Sequence, residues 1–159
     1  MTPTDFAPMT ALTAPASLAV NQRYVAMLSP LTLEGLGDLV ARACYAKQTG
    51  DGAAFLIAFD QDGAYDSENF QWFKERYRRF VYIDRIVIGD ALQRRGLARL
   101  FYEDLADFAR KHGAAHLCAE VNVEPPNPAS HAFHLQSGFG PVADGTLGAK
   151  TVRYYVKTL

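Results

Sequence analysis

The amino-acid sequence predicts an α/β fold, and three observations carry that prediction. Val81–Gly113 reads as a strand, a glycine-containing turn and an amphipathic helix, and His116–Val123 reads as the strand that follows. A strand, a helix and a further strand in succession imply a right-handed crossover and a parallel pair. Ala53–Phe59 is a nearly continuous apolar run, the pattern of a central strand covered on both faces. The 159 residues, 49% of them hydrophobic, are enough for one core and too few for two domains of ordinary size.

Taken in order, Met1–Ala19 is rich in Thr, Ala and Pro without a sustained period, and is expected to form a flexible leader ahead of a domain over residues 20–159. Arg23–Leu28 reads as a first strand, ended by Ser29-Pro30. Thr32 then caps a helix whose face is Leu33, Leu36, Leu39, Val40, Ala43 and Cys44, with Gly50-Asp51-Gly52 as the turn out of it. After the apolar strand, Ser67–Tyr77 reads as a short helix capped by Ser67 or Asp66. Its neighbourhood is aromatic (Tyr65, Phe70, Trp72, Phe73, Tyr77), and these rings either line a pocket or pack on the sheet.

Val81–Ile88 is the next strand, broken by Gly89-Asp90. The helix behind it places Leu97, Leu100, Phe101, Leu105, Phe108 and His112 at three- and four-residue steps and closes at Gly113. Asn127 followed by Pro128 starts a further short helix that Gly138 stops. Phe139–Ala143 and Lys150–Lys157 are two closing strands around a turn from Asp144-Gly145 to Gly148.

Composition narrows the function. Sixteen basic residues stand against 17 acidic ones, so no global field recruits nucleic acid or an acidic membrane surface, and neither is expected as a partner. Cys44 and Cys118 make no metal or redox motif and read as reduced buried thiols. No apolar run is long enough to cross a bilayer, and the N-terminus lacks the basic and apolar segments of a secretory signal, so a cytoplasmic protein is expected.

The segment Gln93-Arg94-Arg95-Gly96-Leu97-Ala98 joins strand to helix. Such a turn leaves the first amide N–H groups of the helix unpaired, and Gly96 lets another group approach the backbone closely. With Arg94, Arg95 and Arg99 alongside, the ligand that suits it is a pyrophosphate rather than a lone carboxylate. The alternative is an ordinary strand-to-helix connection with a solvated basic rim.

This turn resembles the Gln/Arg-x-x-Gly-x-Gly/Ala motif of the GNAT N-acetyltransferase superfamily. Asn127–Phe139 resembles the family's second signature, Asn-x-x-Ala-x-x-Phe-Tyr-x-x-x-Gly-Phe, with Ser130 in place of the Ala and His134 in place of the Tyr. The likeness runs from about Arg23 to Leu159 and is carried by Val81–Phe139; residues 60–79 depart from the hairpin many relatives have there. It implies a mixed, mostly antiparallel central sheet with a splayed parallel strand pair, flanked by helices on both faces. It also implies acetyl-CoA as cosubstrate, no metal, and transfer of the acetyl group to a primary amine by direct attack on the thioester.

By the same resemblance, the main chain of Ile86, Val87 and Ile88 would pair with the pantetheine arm. Gln93, Arg94, Arg95, Gly96, Leu97, Ala98 and Arg99 would hold the pyrophosphate, and Asn127, Ser130 and Phe133 would complete the cofactor site, Asn127 either reaching the pantetheine or acting purely as a cap. An alkyl amine arrives at neutral pH as ammonium, with a pKa of about 10, and needs a base. Asp84 takes that role or forms a salt bridge to a nearby Arg, and Glu120 is the reserve. His134 would stand in for the Tyr as acid to the leaving thiolate, with Tyr102, Tyr154 and Tyr155 as alternatives. His131 and His134, three apart on one helix, lack a third ligand for a metal.

Two rival readings stand beside this: a non-catalytic acyl-CoA-binding module of the same fold, and an unrelated α/β domain using the Arg-rich turn for another phosphorylated ligand. The acceptor, a small-molecule or peptide amine, is left open. Asp60, Asp62, Asp66 and Glu68 hint at a cationic one or form a solvated loop. Dimerisation through the terminal strands is compatible with the pattern.

Overall fold

The computed structural model describes residues 5–25 and 28–159. Its strands are β1 (Ala7–Pro8), β2 (Tyr45–Gln48), β3 (Ala54–Asp60), β4 (Phe80–Ile88), β5 (His116–Glu124), β6 (Gly140–Leu147) and β7 (Lys150–Thr158). The helices are α1 (Ala14–Arg23), α2 (Leu33–Arg42), α3 (Glu68–Lys74), α4 (Leu97–Lys111) and α5 (Pro128–Gln136). The strands form a single sheet in the order β1-β2-β3-β4-β5-β7-β6. Every neighbouring pair is antiparallel except β4 and β5. None of the described helices is long and apolar enough to cross a membrane.

Period-two alternation along β3 divides the core into two layers. Ala54, Leu56 and Ala58 face one side, where Leu97, Phe101 and Leu105 of α4 cover them. Phe55, Ile57 and Phe59 face the other, under Leu36 and Leu39 of α2 and Phe70 and Phe73 of α3. All six β3 side chains are fully buried, as the continuous apolar run requires.

Two features of β4 position the functional region. Its parallel ladder with β5 holds only from Phe80↔His116 to Tyr82↔Cys118, after which the strands part while β4 stays paired with β3 and β5 with β7. At the parting point Ile57 pairs with Arg85 and Ala58 with Ile83, which leaves Asp84 as the extra residue of a bulge. A bulge bends its strand and increases the local twist, and here it turns β4 away from β5.

The expected elements from Thr32 onward form, with local differences. Thr32 accepts from the Gly35 N–H and Ser67 from the Phe70 N–H, the caps their positions predict. Helix α2 ends at Arg42, earlier than the apolar face suggests, because Ala43 is extended and the chain enters β2, a short strand the pattern did not separate from the helix. Strand β6 runs through Asp144-Gly145 and the reversal falls at Gly148, whose φ is +58°.

The N-terminal expectations need correction. Met1–Ala19 is expected to form a flexible leader, yet among its described residues β1 pairs with β2 and α1 packs on the sheet, while residues 1–4 lie outside the described residues. The buried positions of α1 are Ser17 and Asn21, so its inner face carries no apolar period to recognise. Ser17 Oγ donates to the Gly52 carbonyl at 2.9 Å, and Phe6 stacks on Phe101 at 3.8 Å between ring centroids. The strand expected over Arg23–Leu28 is absent at its described positions: Arg23 closes α1 and Tyr24-Val25 turn, while Ala26 and Met27 lie outside the described residues.

Phe101 is fully buried at the centre of the α4 layer. Phe101→Ala is expected to cost about 3–5 kcal/mol of stability, read as a lower midpoint in urea unfolding.

Candidate active site

Where β4 and β5 part, a groove of about 1240 Å³ opens, walled by the end of β4, the first turns of α4, the outer half of β5 and helix α5. The α4 end of this groove is built for an anion. Arg94 and Gly96 both sit in left-handed backbone, at φ +62° and +74°, and the first intrahelical bond runs from the Leu100 N–H to the Gly96 carbonyl. The N–H groups of Leu97, Ala98 and Arg99 therefore have no partner within the helix. No side chain caps them, and the first turn carries no acidic residue. A Cβ built on Gly96 would meet nothing within 4 Å, so the space before these amides is open. Arg94, Arg95 and Arg99 are exposed around it.

The β4 wall follows from ladder arithmetic. Gly89 donates its N–H to the Ala53 carbonyl at 2.9 Å, and Val87 lies opposite Phe55. Residues of an antiparallel ladder alternate between facing the partner strand and facing away. Val87 therefore commits its backbone to β3, and Ile86 and Ile88 turn theirs to the splay. Gln93 donates its side-chain amide to the Ile88 carbonyl at 3.0 Å and to the Tyr24 hydroxyl at 2.7 Å, which ties the turn to the strand and to the end of α1. Tyr24 and Arg23 both bond to Asp90.

On the α5 side, Asn127 Oδ1 accepts from the Ser130 N–H at 3.4 Å, so the cap role is real, and the bond leaves the amide NH₂ unengaged. His134 is buried among Tyr102, Phe133, Phe139 and Tyr155. Its Nδ1–H donates to the Ser130 carbonyl at 2.8 Å, which leaves Nε2 to accept from the Tyr102 hydroxyl, also at 2.8 Å. Burial lowers its pKa, and the charge of His131 lowers it further against the Ser130 bond. In this arrangement its Nδ1 is engaged by backbone and its Nε2 by the Tyr102 hydroxyl. His131 is likewise engaged, by Tyr155 and the Asn122 carbonyl. Among the described residues no three His, Cys, Asp or Glu side chains are grouped to hold a metal.

A second, smaller pocket of about 200 Å³ lies on the other side of the splay. Leu28, Asp84, Arg85, Glu120 and Asn122 line both cavities, so the two meet at a pair of carboxylates. Asp84 accepts from Arg85 Nε at 2.7 Å and from the Tyr65 hydroxyl at 2.5 Å, and both charged side chains are about 5% exposed or less. Arg85 is held in turn by Asn21 Oδ1 at 3.0 Å, the Ser29 carbonyl at 3.3 Å and Ser29 Oγ at 2.9 Å. Glu120 is different. Oε1 accepts from the Tyr82 hydroxyl at 2.9 Å and from Asn69 Nδ2 at 3.0 Å, while Oε2 is buried without a hydrogen-bond partner. Burial pushes its carboxyl up to about 8, and the charge of Asp84 adds to the rise against the two hydrogen bonds.

Of the residues singled out from sequence, the groove collects Asp84, His134, Ile86, Val87, Ile88, Gln93, Arg94, Gly96, Leu97, Ala98, Arg99, Asn127, Ser130 and Phe133. Arg95 does not line it. Tyr65 reaches the smaller pocket, whereas Phe70 and Phe73 are core. Asn69 and Tyr82, which hold Glu120, were not singled out; strand alternation puts Tyr82 on the face of Glu120, but nothing local marks Asn69.

The acetyltransferase (GNAT) family model matches residues 34–139. No curated protein matches the chain significantly. Solved structures share its fold at low identity. The ribosomal-protein-S18-alanine N-acetyltransferase of Escherichia coli is 21% identical with a TM-score of 0.70, over 96% of this chain and 92% of that one. The ribosomal-protein-alanine N-acetyltransferase of Brucella melitensis is 16% identical at 0.69, over 97% and 99%. The NatB acetyltransferase complex bound to CoA and MES is 11% identical at 0.75, over 97% and 98%.

A carboxyl that holds its proton more tightly folded than unfolded contributes nothing below its ordinary value of 4.5 and destabilises increasingly as the pH rises to about 8. A shift of that size corresponds to roughly 5 kcal/mol. Glu120→Gln removes the penalty and leaves a buried amide short of a partner, at a cost of about 1–3 kcal/mol. Urea unfolding at pH 9 is expected to show Glu120→Gln more stable than the wild type by about 2–4 kcal/mol, and at pH 4 the gain is expected to vanish or reverse.

Proposed function

This chain belongs to the acetyltransferase (GNAT) family, acyltransferases that use acetyl-CoA, and on that premise we propose that it acetylates a primary amine by direct attack of the amine on the thioester. The observation that carries the reading is the unpartnered Oε2 of Glu120 at the junction of the two cavities. It gives an ammonium a reason to enter the smaller pocket and gives its proton somewhere to go.

The groove fits coenzyme A on its own features: uncapped α4 amides, open space before Gly96, and strand backbone turned outward. When bound there, acetyl-CoA supplies the activated acetyl group. The N–H groups of Leu97, Ala98 and Arg99, with the Arg94 and Arg99 side chains, hold the pyrophosphate. The backbone of Ile86 and the N–H of Ile88 would pair with the extended arm, with Asn127, Ser130 and Phe133 lining the opposite wall.

Glu120 Oε2 takes the ammonium proton, which frees the nitrogen lone pair. The nitrogen attacks the thioester carbon, a C–N bond forms, the C–S bond breaks with its electrons on sulfur, and the second proton that the nitrogen must shed passes to that sulfur, so that coenzyme A leaves as the thiol. A thiol near pKa 8.5 is a tolerable leaving group, so the step does not depend on His134, whose proton is held by Ser130. Asp84 is paired with Arg85, and its charge adds to the burial that raises the proton affinity of Glu120. The acceptor is a small-molecule or peptide amine.

The reading is tested by coenzyme A release from acetyl-CoA with a panel of primary amines. Wild-type kcat is expected to rise with pH through about 8. Glu120→Gln is expected to lower kcat by about 10²-fold or more with acetyl-CoA affinity unchanged. Acetyl-CoA bound without release by any amine would leave an acyl-CoA-binding module instead.

Gly96→Glu, which fills the open space and puts an anion beside the amides, is expected to abolish calorimetric binding of acetyl-CoA while circular dichroism stays native. Unchanged binding in that variant would move the pyrophosphate elsewhere.

A further inference from the structure

The smaller pocket holds more than a base. Its four acidic and basic side chains divide into one pair that is satisfied and two groups that are not. Asp84 and Arg85 neutralise each other, and Arg85 spends its remaining donors on Asn21 and Ser29. Glu120 keeps a bare buried oxygen. Lys150, at the start of β7, lines the same pocket and has no acidic partner among the described residues.

Register places the two unsatisfied groups on one face. Glu120 lies opposite Tyr154 and Asn122 opposite Val152, and directly opposed residues of an antiparallel pair point the same way. Lys150 is two residues beyond Val152 on β7 and so shares that face. Four residues of strand separate the levels of Glu120 and Lys150, roughly 13 Å of backbone, and both side chains reach into the space between. The pocket's 200 Å³ is below the volume of clefts that take drug-sized ligands, about 300 Å³ and up, and equals the liquid share of about seven waters.

Resting on the acetyltransferase reading, we infer that the acceptor is a small free amino acid, its ammonium on Glu120 and its carboxylate on Lys150. A simple alkylamine would satisfy Glu120 and leave Lys150 unused. A peptide N-terminus would replace the carboxylate by a neutral amide and run out of room within the pocket. The free amino acid alone meets both charges and the volume.

The test is binding, so that it does not depend on turnover. The protein saturated with coenzyme A is titrated calorimetrically with each standard L-amino acid and with its carboxamide, beside Lys150→Gln and Lys150→Arg. At least one acid is expected to bind tenfold or more tightly than its amide, with the preference lost in Lys150→Gln and kept in Lys150→Arg. No acid preferred over its amide, or a preference that survives in Lys150→Gln, overturns the inference. Coenzyme A release with the preferred acid is then measured: a discriminated acid that is bound but never acetylated would sustain the binding site and sink the transferase reading.

Discussion

The constraint on which the rest of the molecule depends is the early end of the β4–β5 ladder. Three parallel pairs hold the strands together, and the bulge at Asp84 then drives them apart. Parallel strands inside a sheet ordinarily consume all their backbone groups; parting them releases one side of each and opens the interior without breaking the antiparallel ladders that carry the sheet on either flank. The groove, the outward-facing backbone of Ile86 and Ile88, and the junction between the two cavities are consequences of this single departure. Helix α4 can then aim its uncapped end at the mouth of the groove because it starts where β4 stops.

The same departure explains why a carboxylate as costly as Glu120 persists. Had β5 stayed paired with β4 along its length, position 120 would lie under a closed sheet, and a carboxyl there would cost stability with no gain. The splay gives it a cavity on each side while its Oε2 stays buried. Tyr82, Asn69 and Tyr154 come from three different elements to form the chain Tyr154–Asn69–Glu120–Tyr82, and together they satisfy only one of its oxygens. A network that stops one bond short in a buried site is a local conflict of the kind proteins keep where binding makes up the difference. The N-terminal segment has a related task on the other carboxylate, since Asn21 and Ser29 fasten Arg85, which fastens Asp84.

The parts legible in the sequence were those in which a single segment carries its own signal. Apolar periodicity marked β3, β4, α4 and β5, capping residues marked α2, α3 and α5, and Gly96 marked the left-handed turn that starts α4. What escaped depended on partners. Helix α1 buries Ser17 and Asn21, whose reason to be inside lies in Gly52 and Arg85, far along the chain. Strand β2 has four residues directly after a helix and exists because β3 offers it an edge. His134 stands out in the sequence by its type, but its contacts with Tyr102 of α4 and with the Ser130 carbonyl of its own helix are visible only in the fold.

On the proposed reading, magnitudes favour Glu120 over Asp84 as the base. Moving a proton from an ammonium of pKa about 10 to an ordinary carboxylate near 4 is uphill by about 8 kcal/mol. To a carboxyl near 8 the same transfer is uphill by about 3 kcal/mol, a cost a bound and oriented substrate can meet. Asp84 has both oxygens committed, one to Arg85 and one to Tyr65, so taking a proton there would also break a buried ion pair. Glu120 has an oxygen to spare. Asp84 still matters to the step, because its charge is one of the two influences that raise the neighbouring carboxyl. Two acidic residues that look interchangeable in the sequence are thus placed differently: one is paired with an arginine, and its charge raises the proton affinity of the other.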